Sequence, residues 1–261
     1  MGTWMIGETG ASRAEEIAAL QHGVDLGMSL IDTAEMYGDG ASEQLVGEAI
    51  RGRRERVFLV SKVYPHNAGR KSMPAACERS LKRLGVDCLD LYLLHWRGSV
   101  PLAETVESFE RLRSQGKIRH WGVSNLDAGD MAALCALPEG GRVTTNQVLY
   151  NLTRRGVEWE LLPWCAERGI PVMAYSPVEQ GRLLRHPDLR ALARARGATP
   201  AQLALAWLLG RDGVIAIPKA SSRAHVEENF AALGFSLDAE TLAGVDRLFP
   251  PPDKAMPLEM L

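Results

Sequence analysis

Four polar side chains stand at or just past the ends of apolar runs: Asp32, Tyr37, Lys62 and His95. Asp32 follows Ser29-Leu30-Ile31, Lys62 ends Phe58-Leu59-Val60-Ser61, and His95 ends Leu91-Tyr92-Leu93-Leu94. Tyr37 opens the turn-like stretch Tyr37-Gly38-Asp39-Gly40. Singly, each has an ordinary reading: a turn cap, a rim aromatic, a solvated rim charge, a satisfied core histidine. A lysine inside an apolar strand, however, costs desolvation unless it is paired. Brought together, the four make a coherent set. A phenol with an ordinary pKa of about 10 is a poor acid near neutrality, and a neighbouring ammonium favours its anion. The aspartate would pair with the lysine and hold it, and the histidine would orient or polarise a substrate oxygen. Such a set suits protonation of a carbonyl oxygen as hydride reaches its carbon.

The elements that must position these groups can be read from hydrophobic patterning. Near-continuous apolar runs at 29–34, 57–63, 89–96, 118–124, 143–148, 171–176 and 214–219 read as strands buried on both faces, with a stub at 2–6 as an eighth. Helical periods fill the intervals. Ser12 with Glu15, and Thr199-Pro200 with Gln202, are capping boxes. Further helices are expected over 42–50, 72–84, 101–115, 127–137, 157–168, 189–196, 223–233 and 238–248. This alternation allows an open doubly wound sheet or a closed barrel. No G-x-G-x-x-G follows the first strand, as a Rossmann sheet would require. Nearly every strand ends instead in a chemically capable residue: Asp32, Lys62, His95, Ser124 with Asn125, Gln147, Tyr175 with Ser176, and Lys219. A barrel gathers all those ends on one face. The expected fold is therefore a single α/β domain over 1–261, a (β/α)8 TIM barrel whose first strand is truncated at the amino terminus.

Over essentially its whole length the chain resembles the aldo-keto reductases. The resemblance rests on Gly2-Thr3-Trp4, Ile31-Asp32-Thr33-Ala34-Glu35-Met36-Tyr37-Gly38, Val60-Ser61-Lys62-Val63 and Leu93-Leu94-His95-Trp96. It continues through Trp121-Gly122-Val123-Ser124-Asn125, Asn146-Gln147-Val148, Ala174-Tyr175-Ser176-Pro177 and Ile217-Pro218-Lys219-Ala220-Ser221. It implies Asp32, Tyr37, Lys62 and His95 as the catalytic tetrad, with Tyr37 as general acid. It implies an NADPH site made without a Rossmann fold. Gly2, Thr3, Trp4 and Asp32 would lie near the cofactor. Ser124, Asn125 and Gln147 would bond the nicotinamide carboxamide, and Tyr175 would stack on the ring. Ser176, Pro177, Val178 and Gln180 would approach the pyrophosphate. Lys219, Ala220, Ser221 and Ser222 would meet the adenosine phosphate, with His225 nearby and Glu228 and Asn229 at the adenine.

The chain departs from the family pattern in ways that bear on specificity. His225 stands where many members have arginine, so NADPH is expected to be preferred while NADH is also accepted. The loop 97–100 and the segment after Leu248 are short, which leaves an open pocket lined by Trp4, Tyr37, His95 and Trp96. Small aldehydes, dicarbonyls and keto-sugars would fit it. Two rival functions are to be weighed: a cofactor-binding regulatory subunit like the potassium-channel β subunits, which resemble this fold, and a Schiff-base lyase using Lys62 at its strand end.

Composition narrows the remaining choices. A formal net charge of −2 gives no reason to expect nucleic acid or an anionic membrane as partner. The four cysteines form no C-x-x-C pair, so neither a metal site nor a disulfide framework is expected. With no signal-like segment and no long apolar span, the expected location is the cytoplasm, as a monomer or weak homo-oligomer.

Overall fold

Two cap signatures set helix starts as their side chains require. In the computed structural model, which describes residues 1–8 and 12–261, Ser12 and Glu15 close a reciprocal capping box on α1 (Arg13–Leu26). Thr199 and Gln202 do the same later in the chain, ahead of a helix that begins at Pro200. Each box satisfies backbone N–H groups that the first turn leaves without partners.

The chain divides into two compact units. The first comprises residues 1–146 and 219–226. It carries, after α1, β1 (Leu30–Asp32), α2 (Ala41–Ala49), β2 (Phe58–Val63), α3 (Ser72–Leu84), β3 (Leu89–Leu94), α4 (Leu102–Ser114), β4 (Ile118–Ser124) and α5 (Ala128–Cys135). β1 to β4 pair in chain order, all parallel, with Ile31 opposite Leu59, Lys62 opposite Leu93, and Tyr92 opposite Trp121. Every residue of β3 is buried, which accounts for its near-continuous apolar run; the one charged member, Asp90, is paired with Arg54 and the Leu59 amide.

The second unit comprises residues 147–218 and 227–261. It holds most of β5 (Asn146–Leu149), then α6 (Leu161–Glu167), β6 (Val172–Tyr175), α7 (Pro187–Ala195), α8 (Pro200–Leu209), β7 (Val214–Ala216) and α10 (Ala239–Leu248). α9 (Arg223–Ala231) belongs partly to each unit. β6 and β7 are parallel, with Met173 opposite Ile215.

The strands expected from residue 29 onward form, several of them shorter than the apolar runs. β7 ends early because Pro218 has no N–H to continue the ladder, although Ile217 N still donates to Ala174 O at 3.0 Å. β5 starts late because Val143 closes a turn onto Gly140 O at 3.2 Å. The expected first strand at 2–6 does not form. Only Gly2 pairs, bridging Asp32 on one side and Lys219 on the other, and residues 4–8 turn away. Met5 and Gly7 have positive φ there, which ends any extended run. Among the described residues no helix is long and apolar enough to cross a membrane.

A buried carboxylate ties α2 to β2 and α3. Glu43 accepts from Ser61 Oγ at 2.6 Å and from Arg83 Nε at 2.6 Å, and it is fully buried. Removing one partner of such a pair leaves an uncompensated charge. Arg83→Met is therefore expected to lower unfolding stability by about 3 kcal/mol, read from the urea midpoint at unchanged slope. A loss below about 1 kcal/mol would mean the pair behaves like an exposed one.

Candidate active site

Lys62 is the deepest member of the site. It lies near the end of β2, fully buried, and its ammonium donates three hydrogen bonds. They run to Asp32 Oδ2 at 2.7 Å, Thr33 O at 3.0 Å and Tyr37 OH at 3.0 Å. β1 supplies the aspartate, and the turn after it supplies the tyrosine. That turn is tight: Tyr37 N donates to Ala34 O at 3.1 Å, and Gly40 takes φ 90°, beyond the ordinary reach of a side-chain-bearing residue. His95 follows β3 and donates its backbone N–H to Val63 O at 3.0 Å. Its ring meets Tyr37 edge-on with centroids 5.8 Å apart. All four tetrad residues thus come together in the first unit.

Their charge states follow from burial and neighbours. Burial alone would lower the pKa of Lys62, but Asp32 and the bonds to Asp32 and Tyr37 outweigh it, so the net shift is upward and the ammonium persists. Burial raises the Tyr37 phenol above its ordinary 10; the opposing ammonium does not cancel it, and Asp32 adds to it. The sequence led us to expect a lowered value. The correction is that desolvation outweighs the ammonium. Burial, then the Lys62 ammonium, pulls His95 down to about 2. His95 is therefore neutral, and its Nδ1 is buried without a hydrogen-bond partner.

The residues expected around a nucleotide are placed as follows. In the first unit, Asn125 takes φ 59° and its Nδ2 donates to Ser124 Oγ and to His95 O, each at 3.1 Å. Gly2 is buried, and the Thr3 hydroxyl faces inward, donating to Asp32 O at 2.9 Å and accepting from Ser42 Oγ at 2.8 Å. Thr3 thus braces the aspartate's backbone. Trp4 is exposed. Lys219 is exposed beside Gly2, whereas Ala220 packs against Ala19 and Val226. Ser221 and Ser222 are half-buried, and Ser222 Oγ accepts from His225 N in the first turn of α9 at 3.3 Å. The His225 side chain is on the surface.

In the second unit Gln147 is buried and Tyr175 half-buried. Ser176, Glu179 and Gln180 all have φ between 50° and 54°. Such a loop persists only if its surroundings hold it. Glu179 does so from inside: it accepts from Asn151 Nδ2 at 2.7 Å, Arg154 Nη2 at 3.0 Å and Arg182 Nη2 at 2.7 Å. Asn151 Nδ2 also reaches Ser176 O at 2.9 Å. Pro177 is buried and Val178 half-buried, while Gln180 is exposed. Glu228 and Asn229 are half-buried on α9, with Glu228 O accepting from Gln202 Nε2 at 3.5 Å.

Sequence reasoning missed part of the site. Tyr64 meets Trp96 edge-on at 6.0 Å, and Trp96 lies 4.9 Å from His95 between ring centroids. Tyr64 therefore extends the aromatic wall that Tyr37, His95 and Trp96 begin. The signal was available: two residues past Lys62, strand periodicity puts it on the same side. Burial, with help from Asp39 and Glu35, raises the pKa of its phenol above the ordinary value. Among the described residues no group of three or more His, Cys, Asp or Glu side chains could hold a metal ion.

The sequence profile of the aldo/keto reductase family matches residues 1–249. The chain belongs to the aldo/keto reductase family. It is accordingly an oxidoreductase. Among its relatives is the methylglyoxal reductase YeaE of Escherichia coli (strain K12), 52% identical over 265 aligned positions covering 100% of this chain and 93% of that one. An aldo/keto reductase from Klebsiella pneumoniae, crystallised with NADP and acetate, superposes at a TM-score of 0.98 with 56% identity, covering 100% of this chain and 94% of that one. A crystal structure from the same organism in complex with NADPH gives the same TM-score, 0.98, identity, 56%, and coverage, 100% and 94%.

The state of this aldo/keto reductase's histidine has a measurable consequence. With a folded pKa near 2 against an unfolded 6.5, the unfolded chain binds the extra proton as pH falls below 6.5. His95 thus favours unfolding by up to about 1.4 kcal/mol per pH unit between pH 6 and pH 4. His95→Gln should remove that share of the slope in urea titrations. An unchanged slope would mean that His95 titrates normally in the folded protein.

Proposed function

We propose that this chain reduces small carbonyl compounds, methylglyoxal and related dicarbonyls among them, using NADPH, with Tyr37 as the proton donor. The single observation that carries the reading is the Lys62 ammonium bonded at once to Asp32, Thr33 O and the Tyr37 hydroxyl, beside a neutral His95. The methylglyoxal reductase among the relatives supports the substrate class. We further propose that the strands belong to a closed (β/α)8 barrel. The two-sided pairing of Gly2 and the structural likeness to family members support it.

The residues present fit a phosphorylated dinucleotide. Lys219 offers an exposed cation, and Ser221 and Ser222 add hydroxyls at the amino end of α9, where the helix dipole favours an anion. His225 lacks the permanent charge of an arginine, so NADPH is preferred while NADH is also accepted. Ser124, Asn125, Gln147 and Tyr175 keep the nicotinamide roles that family resemblance assigns them, and Ser176 to Gln180 the pyrophosphate role. When bound, the reduced nicotinamide supplies a hydride to the carbonyl carbon.

The chain's own residues do the rest. Tyr37 donates its proton to the carbonyl oxygen as charge develops there. The phenol holds its proton at neutral pH beforehand, and the ammonium at 3.0 Å stabilises the phenolate left behind, offsetting part of the cost of burial. His95, being neutral, offers a ring N–H to the oxygen without competing as an acid. Asp32 balances the lysine throughout. The same geometry argues against a Schiff-base lyase, which needs a neutral amine; all three Lys62 donors are engaged and its pKa is raised. A fully assembled proton donor also argues against a purely regulatory subunit.

Purified protein mixed with methylglyoxal and NADPH, followed at the nicotinamide absorbance, tests the reading. Tyr37→Phe is expected to lower kcat by roughly 10²–10⁴-fold, with cofactor affinity nearly unchanged. Wild-type-like reduction by that variant would overturn the assignment.

A further inference from the structure

Glu35 lies between the aspartate and the tyrosine of the tetrad, is buried, and has no part in the proton transfer. A buried carboxylate is costly unless its oxygens are bonded, so its partners show what it does. Oε1 accepts from Tyr64 N at 2.8 Å and from Asn67 Nδ2 at 3.0 Å. Oε2 faces the guanidinium of Arg79 on α3 at 3.8 Å. The charge is thus directed at the segment that follows β2.

The backbone geometry explains why a side chain is needed there. Past β1 the chain keeps pairing with β2, through Thr33 N to Val60 O at 2.9 Å and Glu35 N to Lys62 O at 3.3 Å. Tyr64 N lies two residues beyond Lys62, where β1's own segment has turned off towards Tyr37. The Glu35 carboxylate receives that donor in place of a carbonyl. Pro65, next in line, has no N–H, and the turn 65–67 closes by Asn67 N to Tyr64 O at 2.9 Å. Glu35 therefore grips both ends of the segment 64–67, the Tyr64 amide and the Asn67 side chain.

That segment forms the wall beside the proton donor. The Tyr64 ring stacks on His66 at 4.8 Å and meets Trp96 at 6.0 Å, with Trp96 against His95. Pro65 presses on Gly98 so closely that any side chain there would meet Pro65 Cβ at 2.5 Å. The loop after β3 is thus seated on the segment that Glu35 holds.

We propose that Glu35 is a positioning residue for the substrate: by fixing Tyr64–Asn67 it sets the Tyr64–Trp96 wall against which a carbonyl compound is aligned with Tyr37 and His95. The proposal rests on the carbonyl-reductase reading above. It separates two jobs carried by one short stretch, the acid at Tyr37 and the alignment at Glu35. Loss of the carboxylate displaces the wall but leaves the Lys62 bonds intact.

The test is steady-state reduction of methylglyoxal by Glu35→Ala, Glu35→Gln and Asn67→Ala, with NADPH dissociation constants measured in parallel. Glu35→Ala should raise KM about tenfold, with a smaller fall in kcat and an unchanged NADPH dissociation constant. Asn67→Ala, losing one of the two grips, should raise KM less. Glu35→Gln keeps an oxygen for both donors and should stay within about twofold of wild type. A folded Glu35→Ala with unchanged KM overturns the proposal, as does a Glu35→Gln as impaired as the alanine variant. If Glu35→Ala does not fold, an unchanged KM in Asn67→Ala overturns it instead. Failure of the wild type to consume NADPH with methylglyoxal, or full activity in Tyr37→Phe, would sink the underlying reading rather than this one.

Discussion

An ammonium without access to water has to be neutralised and fully hydrogen-bonded, and Lys62 meets both demands with groups gathered at the candidate site. Asp32 supplies the charge, Thr33 a carbonyl, and Tyr37 a hydroxyl. Because the three acceptors come from the end of β1 and the turn after it, the lysine ties that turn to β2. The Thr3 and Ser42 hydroxyls brace the same turn through Asp32 O and Thr33 Oγ1. Removing the cation would leave a buried carboxylate without its partner and a tyrosine without its anchor.

Burial acts on the three titratable neighbours in different ways, and the differences make the site usable. Burying an ion costs several kcal/mol, while an ammonium at close range returns about 4 kcal/mol at an intermediate effective dielectric. For Tyr37 the balance falls to burial, so its pKa lies above the ordinary 10 and the hydroxyl is protonated. For Lys62 it falls to Asp32, so the charge persists. His95 has no anion to help it and is neutral. A retained proton beside a fixed cation is what a hydroxyl needs to act as an acid near neutral pH.

Much of this could be read from residue types. The polar ends of β1, β2 and β3 marked the candidate site, whose residues the structure brings together, because a buried strand has little use for Asp32, Lys62 or His95 unless they are paired. The boxes at Ser12 and Thr199 marked helix starts because capping is local chemistry. What escaped was non-local. Glu35 bonds a backbone amide 29 residues away, and Glu179 gathers Asn151 from 28 residues away. Such links have no period and no local signature. The stub at 2–6 was misread for a related reason: its residues have strand-like types, but positive φ at Met5 and Gly7 leaves only Gly2 in register.

The most direct test of the account is the turnover of Lys62→Met, which keeps most of the side-chain length and removes only the charge and its donors. Rates should be normalised to folded protein with bound NADPH. Methylglyoxal reduction at neutral pH is expected to fall by at least roughly 10²-fold, because Tyr37 loses the cation that stabilises its anion. A folded, cofactor-bound Lys62→Met that reduces methylglyoxal at close to the wild-type rate would contradict the account.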